Sequence, residues 1–204
     1  RFAVHKNIFD HPGGHKSHDT AVPYLGGVAI VLAFATSVLA MTVLQPPHSG
    51  KDELLVVLAL AVLLSLVGLM DDLRHVPVVW RVAVEIAAAV VVWSLDSGVA
   101  VTGVEIFDLG LTVLWFLGIT NAFNLLDNMD GLAAGLAAIT SLTVFAVAVT
   151  NGQFLVAALA IGLAGCTAGF LRHNLYPASI FMGDGGSLFI GFLVAYLCIK
   201  LRFD

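Results

Sequence analysis

The sequence predicts an all-α membrane protein, a polytopic bundle of transmembrane helices, and three observations support this prediction. Hydrophobic residues make up 59% of the 204 residues and charged residues only 11%, whereas soluble domains carry about 25% charged residues. The apolar residues form runs of roughly 17–25 residues, the length that spans the hydrocarbon core of a bilayer. These runs lack the short alternating pattern of a membrane β-barrel, which favours helices.

Seven apolar runs follow one another along the chain and leave little sequence for a soluble domain. We therefore expect about seven transmembrane helices in a single integral-membrane domain over residues 1–204. The runs lie near residues 22–44, 53–70, 78–94, 109–126, 132–150, 153–171 and 187–203. The chain opens on a polar, histidine-rich segment and stops abruptly at Asp204, so we expect it to be a fragment of a longer membrane protein.

The remaining composition argues against several kinds of site. A formal net charge of −5 gives no basic surface for nucleic acid. Cys166 and Cys198 both fall inside apolar runs, and we expect small core residues there, with neither a disulfide nor a metal. His15 and His18 could supply two metal ligands, but two histidines without a third ligand are better interpreted as solvated loop residues.

Local sequence features suggest how the first helices begin and pack. Pro23 suits the first turn of the first helix, and Gly26–Gly27 would permit the close approach of another helix. The third run carries Arg81 and Glu85, four residues apart. This spacing predicts an intramembrane ion pair with the arginine reaching the near interface, and a proton or ion pathway is the alternative. The β-branched residues of 99–107 predict a small hairpin.

The polar stretch 121–131 lies between the fourth and fifth apolar runs. If it is helical, Asn124, Asp127 and Asp130 are spaced three residues apart and project towards one side. Three oxygen-bearing side chains at the end of an apolar helix indicate a site for a hard cation or a phosphate-sugar. The alternative is a polar interfacial turn that is capped by Gly131.

Two further groups of aspartates stand where apolar runs end or begin. Asp71 and Asp72 close the second run, where they face the unfavourable, negative end of the helix dipole; a solvated loop is the alternative. Asp184 stands in a glycine-rich turn before the last run. Amides at a helix start can bind a phosphate, and Asp184 could hold Mg²⁺ on that phosphate. The alternative is that Asp184 or Ser187 simply caps the helix.

Counting membrane crossings places all the polar turns on one side. The turns on the same side as residues 1–21 are 71–77, 127–131 and 172–186, and those on the other side are 45–52, 95–108 and 151–152. Six of the nine lysines and arginines lie on or near the first side, and such an excess marks the cytoplasmic face. The five aspartates of these three turns, Asp71, Asp72, Asp127, Asp130 and Asp184, would repel one another, and Mg²⁺ with a diphosphate substrate would offset the repulsion.

Three long motifs resemble one family of membrane enzymes. They are Gly68-Leu-Met-Asp71-Asp72, the stretch from Asn121 to Gly135, and the stretch from Asn174 to Ser187. Together they resemble the polyprenyl-phosphate N-acetylhexosamine-1-phosphate transferases. The middle motif is more similar to the undecaprenyl-phosphate N-acetylglucosaminyl-1-phosphate transferases than to phospho-N-acetylmuramoyl-pentapeptide transferase.

The resemblance implies a reaction, a cofactor and a location. A polyprenyl phosphate such as undecaprenyl phosphate attacks the β-phosphate of a UDP-sugar, most simply UDP-N-acetylglucosamine. The products are a lipid diphosphate-sugar and UMP, in cell-wall or surface-glycan biosynthesis. The implied cofactor is Mg²⁺, with Mn²⁺ as a substitute. The implied location is the cell membrane with the active site facing the cytoplasm, and a homodimer is one expected assembly.

The resemblance also implies roles for residues at matching positions. Asp71 would engage or deprotonate the lipid phosphate, with Asp72 beside it, and Asp184 would bind Mg²⁺ with help from Asn124. Asp127 and Asp130 would contact the nucleotide-sugar, and Phe181 would lie against the uracil. The full set of implied substrate-binding positions is Asn124, Asp127, Asp130, Phe181, Lys16 and Asn174.

The chain departs from the family pattern in single residues and in whole helices. Asp19 and Thr20 stand where a lysine is common, which leaves Lys16 as the nearest replacement, and Ser179 stands where a basic residue is frequent. We expect the first and late helices of the family, and its histidine-rich cytoplasmic loop, to lie outside this sequence, so that an isolated piece would lack part of the active site. An ion-coupled transporter and a non-catalytic scaffold of the same fold are the alternatives.

Overall fold

The computed structural model describes residues 9–10, 22–47 and 49–201. These residues contain seven helices and one pair of short strands, joined by loops and turns. The helices are α1 (Gly26–Leu44), α2 (Lys51–Leu73), α3 (Val78–Ser94), α4 (Glu105–Leu126), α5 (Leu132–Thr150), α6 (Phe154–Asn174) and α7 (Asp184–Lys200). The strands β1 (Phe9–Asp10) and β2 (Val22–Pro23) pair antiparallel. The predicted helical architecture is confirmed.

The outer helices have the length and surface of membrane spans. Five of them, α1, α2, α4, α5 and α6, are long and apolar enough to cross a membrane by length and composition. The other two, α3 and α7, have 17 residues each. Large apolar side chains such as Leu44, Val79 and Phe154 are exposed on the outside of the bundle. Such a surface is expected where the solvent is lipid, and the protein is a multi-pass membrane protein.

Helix α7 is the centre of the bundle. Every residue from Gly185 to Leu197 is buried, and the helix contacts α1, α2, α4, α5 and α6. Glycines allow this close packing, because a Cβ on Gly27 would overlap the backbone of Gly186, and one on Gly68 would overlap the backbone of Asp184. Small residues at helix crossings let membrane helices approach closely. These contacts fix the start of α7 against α1 and α2.

Aromatic and aliphatic side chains fill the space around α7. Phe34 of α1 meets Phe189 edge-on, with ring centroids 5.7 Å apart, an arrangement that aromatic pairs favour. Cys166 and Cys198 are free thiols that lie half-buried beside this core.

Two local predictions about the ends of helices are wrong. Pro23 lies in β2 rather than in α1, and its carbonyl accepts a hydrogen bond from the amide of Phe181 (3.0 Å). Residues 99–104 form a loop instead of a hairpin. The carboxylate of Asp108 accepts hydrogen bonds from the amides of Val101 (3.2 Å) and Thr102 (2.9 Å). These hydrogen bonds hold the loop against the start of α4. The amides of the loop that bond to Asp108 are therefore not available to pair two strands.

A polar cluster around Glu53 closes the end of the bundle where residues 45–52 and 95–104 lie. The Glu53 carboxylate accepts hydrogen bonds from the Tyr196 hydroxyl (2.7 Å), from Lys200, whose ammonium lies 2.6 Å away, and from Ser97. Buried polar groups are stable when they are paired in this way. The cluster joins the start of α2 to the end of α7 and to the loop after α3.

We expect Gly27→Ala to lower the thermal stability of the purified protein, because the added methyl group has no room between α1 and α7. The atoms it would meet belong to the backbone of Gly186, and overpacking of this kind costs about 1–3 kcal/mol. Gly110→Ala is the matched control, since nothing lies within 4 Å of a Cβ at that helical position. Unfolding temperatures in detergent compare the two variants, and equal values would contradict close packing of α1 on α7.

Candidate active site

Three segments that are distant in the sequence meet at the end of the bundle opposite the Glu53 cluster. They are the end of α2, the turn after α4 and the segment between α6 and α7. Asp72 and Asp127 accept hydrogen bonds from amides at the start of α7, and Asp130 accepts one from the amide of Ala178 (2.9 Å). The predicted convergence of the three polar turns is confirmed.

Asp72 caps α7 from a different helix. Its Oδ1 accepts a hydrogen bond from the amide of Asp184 (3.0 Å), and its Oδ2 accepts one from the amide of Gly185 (3.2 Å). A negative charge at a helix N-terminus is favoured by the helix dipole. Gly183 has φ 77°, and a Cβ there would lie 2.7 Å from the Asp72 carboxylate, so this position requires glycine. The alternative interpretation, in which Asp184 or Ser187 caps the helix, is wrong.

The backbone amides at the start of α7 are all bonded within the protein. The amide of Gly183 donates to Asp127 Oδ2 (3.1 Å). The amides of Gly186 and Ser187 donate to the carbonyl of Gly183 (3.0 Å each), and Asp72 accepts from the two in between. The predicted phosphate cradle is therefore filled by carboxylates of the protein, and a phosphate at this site would be held by side chains and cations.

Asn124 joins α4 to α7 at the centre of the site. Its Nδ2 donates hydrogen bonds to Asp184 Oδ1 (2.7 Å) and to Ser187 Oγ (3.0 Å). Asn124 lies in the last turn of α4, whereas Asp127 is the residue that ends this helix and Asp130 lies in the following turn. The stretch is therefore not one continuous helix, but its three side chains still face the same neighbouring segment.

Arg81, in the first turn of α3, reaches the aspartates. Its Nη1 lies 3.3 Å from Asp71 Oδ2 and 3.5 Å from Asp184 Oδ2. The other oxygen of Asp71 accepts a hydrogen bond from the amide of Val76 (2.8 Å), which fixes this carboxylate. The sequence spacing predicts only Glu85 as a partner of Arg81. Its position one turn inside an apolar helix, on the side of the polar turns, was the signal that could have placed it in the site.

The predicted ion pair between Arg81 and Glu85 is present, but it is loose. Arg81 Nε and Glu85 Oε1 are 3.9 Å apart. Glu85 is only 2% exposed, and its other carboxylate oxygen accepts a hydrogen bond from Asn121 of α4. Ionisable residues at membrane depth are costly unless they are paired, and this pair connects the site to the interior of the bundle.

Asn174 and Phe181 hold the segment between α6 and α7. The buried side chain of Asn174 accepts a hydrogen bond from the amide of Gly131 (3.1 Å) and donates one to the carbonyl of Ile180 (3.1 Å). The carbonyl of half-buried Phe181 accepts a hydrogen bond from the amide of Gly26 (3.0 Å). The predicted contacts of these two residues with the substrates stay predictions, and Lys16 lies outside the described residues.

The aspartates are crowded and only partly exposed. The side chains of Asp71 and Asp184 are 18% and 34% exposed. The pKa of Asp127 is raised to about 8, mainly by burial, against the lowering effect of the hydrogen bond from Gly183; the charges of Asp184 and Asp72 contribute to the increase. At neutral pH this carboxyl keeps its proton unless a cation offsets the neighbouring charges. A positive charge beside these carboxylates would offset their repulsion.

The carboxylates fit a divalent cation that is held by one or two protein ligands. Within residues 22–47 and 49–201, no three His, Cys, Asp or Glu side chains form a ready-made metal site. Mg²⁺ commonly takes one or two carboxylates and completes its coordination with waters and substrate phosphates. The carboxylate of Asp184 is partly exposed, so a cation can reach it from water. The guanidinium of Arg81 lies between Asp184 and Asp71, which shows that a positive charge fits between these two carboxylates.

The location of the aspartates disfavours a transport site. Asp71 and Asp72 lie in the last turn of α2, Asp127 ends α4, and Asp184 is the first residue of α7. Substrate sites of secondary transporters lie near the middle of the bilayer. These carboxylates lie instead at the ends of their helices, where a membrane protein meets water.

Known proteins share this sequence pattern over most of the chain. The sequence profile of glycosyl transferase family 4 matches residues 54–202, which include all three motifs of the site. The probable undecaprenyl-phosphate N-acetylglucosaminyl 1-phosphate transferase of Bacillus subtilis is 34% identical over 98% of this chain and 57% of its own length. The chain thus spans little more than half of that relative.

Two further relatives represent the two branches of polyprenyl-phosphate transferases that the motifs resemble, one for N-acetylglucosamine and one for N-acetylmuramoyl-pentapeptide. The decaprenyl-phosphate N-acetylglucosaminephosphotransferase of Mycobacterium tuberculosis is 33% identical over 91% of this chain and 51% of its own length. The phospho-N-acetylmuramoyl-pentapeptide-transferase of Shouchella clausii is 33% identical over 94% of this chain and 65% of its own length. Because the family profile covers the bundle from α2 to α7, the chain belongs to glycosyl transferase family 4.

Proposed function

We propose that this chain carries a large part of the active site of a Mg²⁺-dependent transferase. The enzyme would move N-acetylglucosamine 1-phosphate from a UDP-sugar to a polyprenyl phosphate, in cell-wall or surface-glycan biosynthesis. The observation that carries the proposal is the group of aspartates from α2, α4 and α7 that meets at the start of α7, at one end of a membrane bundle, with Arg81 beside Asp71 and Asp184. The names of two relatives describe this kind of transfer to undecaprenyl and decaprenyl phosphate.

In the proposed reaction, an oxygen of the lipid phosphate attacks the β-phosphorus of the UDP-sugar. The new P–O bond forms while the bond from the β-phosphorus to the bridging oxygen breaks, and UMP leaves with that oxygen and its electron pair. The lipid phosphate is already largely ionised near neutral pH. The protein therefore contributes mainly by positioning the reactants and by neutralising charge.

Each residue of the site has a role in this proposal. Asp184 would hold Mg²⁺ with help from Asn124, and the bound ion would neutralise the charge that builds up on the diphosphate. Asp71 would engage the lipid phosphate. Asp127 and Asp130 would contact the nucleotide-sugar through the carboxylate oxygens that their amide partners leave free.

We place the site on the cytoplasmic face of the cell membrane. Arg74, Arg81 and Arg172 lie at the site end of their helices, whereas Lys51 and Lys200 lie at the other end. Lys200 is neutralised there by Glu53. An excess of basic residues marks the cytoplasmic side of a membrane protein.

Membranes that carry the full-length protein test the function with a panel of radiolabelled UDP-sugars. UDP-N-acetylglucosamine should label a lipid product and release UMP when undecaprenyl phosphate and Mg²⁺ are supplied, and EDTA should stop both. Membranes prepared without the protein are the control. If the folded protein transferred label from none of the UDP-sugars, the proposal would be refuted.

Asp71→Asn should lower the rate of UMP release about 10²-fold or more, because asparagine cannot accept the remaining proton of the lipid phosphate. Initial rates at saturating substrate concentrations measure this effect. Asp96→Asn is the matched control, since Asp96 is exposed at the opposite end of the bundle and its change should leave the rate intact. A rate near that of the unmodified protein would reduce Asp71 to a structural role at the end of α2.

A further inference from the structure

Arg81 stands where a cation is needed between two carboxylates of the site. Its Nη1 is within 3.5 Å of both Asp71 and Asp184, and its side chain is only 15% exposed. In the proposed function a divalent cation binds to Asp184 and so comes close to this guanidinium. Two cations that lie close together in a partly buried site repel each other strongly. The guanidinium must therefore move away or gain a further negative partner when the divalent cation binds.

A second partner for Arg81 lies one turn deeper in α3. Arg81 Nε and Glu85 Oε1 are both buried, and neither has a hydrogen-bond partner. At 3.9 Å they are too far apart for a hydrogen bond. A buried donor and a buried acceptor without partners are unfavourable. A small movement of the guanidinium towards Glu85 would satisfy both atoms at once.

Glu85 is the fixed member of this pair. It is 2% exposed, and its Oε2 accepts a hydrogen bond from Nδ2 of Asn121. Asn121 is itself held by a hydrogen bond to the carbonyl of Leu117 (3.0 Å) in its own helix. Arg81 reaches the site on a long side chain with several rotatable bonds, so it is the member that can move.

We propose that Glu85 is a positioning residue that acts through Arg81. When a divalent cation binds to Asp184, the guanidinium of Arg81 moves towards Glu85 and pairs with it. The space between Asp71 and Asp184 is then free for the cation and for the phosphates bound with it. The inference rests on the proposed function, because it requires a divalent cation among these aspartates. By this inference Glu85, which lies inside the bundle, contributes to cation binding at the site.

Removing the charge of Glu85 has a consequence that depends on Arg81. In Glu85→Gln, the side-chain carbonyl can still accept the hydrogen bond from Asn121, but a neutral group attracts the guanidinium only weakly. Arg81 then stays between Asp71 and Asp184 and competes with the divalent cation. In Arg81→Gln this competitor is gone, and a change at Glu85 has no route to the cation.

A double-mutant cycle on cation affinity tests the inference. We expect Glu85→Gln to raise the Kd of Mn²⁺ about tenfold. This change corresponds to a modest part of the interaction energy between the cation and a full unit charge nearby. Arg81→Gln should lower the Kd, and the double variant should bind Mn²⁺ as Arg81→Gln alone does. Electron paramagnetic resonance of the purified full-length protein in detergent measures free and bound Mn²⁺. Unfolding temperatures of all four proteins identify any variant that is not folded.

Each failure has its own signature. If the unmodified protein binds Mn²⁺ and Glu85→Gln binds it equally well, the inference is overturned while the proposed function stands. A tenfold loss that persists in the Arg81→Gln background overturns it as well, since Glu85 would then act without Arg81. If Glu85→Gln does not fold, Arg81→Gln decides alone, and unchanged or weaker binding of Mn²⁺ rejects the inference. If the unmodified protein binds no Mn²⁺, the cation of the proposed function fails first.

Discussion

Asp184→Asn should reduce the release of UMP to the background of membranes that lack the protein, a fall of about 10³-fold or more. The physical reason is charge, because asparagine keeps the size of the side chain but removes the carboxylate to which the divalent cation would bind. Asp184 is also the residue on which the site converges. Asn124 donates to its Oδ1, Arg81 lies beside its Oδ2, and Asp72 accepts a hydrogen bond from its amide.

Two measurements separate this effect from a loss of folding. The first is the Kd of Mn²⁺, which should rise in parallel with the loss of activity. The second is the unfolding temperature, which should change little, because the amide of Asp184 that Asp72 caps is unaltered. Asp52→Asn, at an exposed position at the opposite end of α2, is the control. Activity close to that of the unmodified protein would remove the metal assignment from Asp184.

Asp72→Ala should damage both the stability and the activity of the protein. The carboxylate accepts hydrogen bonds from the amides of Asp184 and Gly185. Leaving a buried amide without a partner costs about 1–3 kcal/mol, and less where the amide is partly exposed, as at Asp184. The start of α7 would lose its cap, and Asp184 would lose its position relative to Asp71. We therefore expect the release of UMP to fall about 10³-fold, together with a lower unfolding temperature in detergent.

Graded variants distinguish this capping role from a purely chemical one. Asp72→Asn retains one acceptor oxygen, so its unfolding temperature should lie between those of Asp72→Ala and the unmodified protein. Tyr24→Phe removes a hydroxyl that donates to the backbone carbonyl of Asp72 (3.1 Å) and leaves the carboxylate untouched. It should have a much smaller effect. If Asp72→Ala unfolded at the same temperature as the unmodified protein, the carboxylate would not be the cap of α7.

The helices and the meeting of the polar turns were predictable because both depend on simple physical rules. A run of apolar residues of sufficient length forms a helix in lipid, where the backbone has no other source of hydrogen bonds. Each such helix reverses the side of the membrane, so the turns that hold Asp72, Asp127 and Asp184 had to lie together.

The internal bonding of the site was not predictable from the sequence, because it depends on packing between distant helices. The motif around Asp184 suggested free amides for a phosphate, but Gly68 brings α2 so close to α7 that Asp72 takes those amides. Arg81 was assigned to Glu85 by its spacing of four residues. Its longer reach to Asp71 and Asp184 depends on where α3 packs against its neighbours, which no local pattern records.

Cysteine labelling from the two sides of sealed membrane vesicles tests the location of the site most directly. Single cysteines would replace Met129 and Tyr176, which are 63% and 87% exposed at the site end, and Val101, which is 81% exposed at the other end. The two native cysteines, Cys166 and Cys198, would first be changed to alanine. None of the three labelled positions is a residue of the proposed chemistry, so the variants should remain active.

A membrane-impermeant maleimide should label positions 129 and 176 only from the cytoplasmic side and position 101 only from the opposite side. This result would place the aspartates from α2, α4 and α7 at the surface where a soluble nucleotide-sugar can meet a lipid phosphate. If positions 129 and 176 reacted from different compartments, or both only from outside the cell, the proposed site could not exist as described.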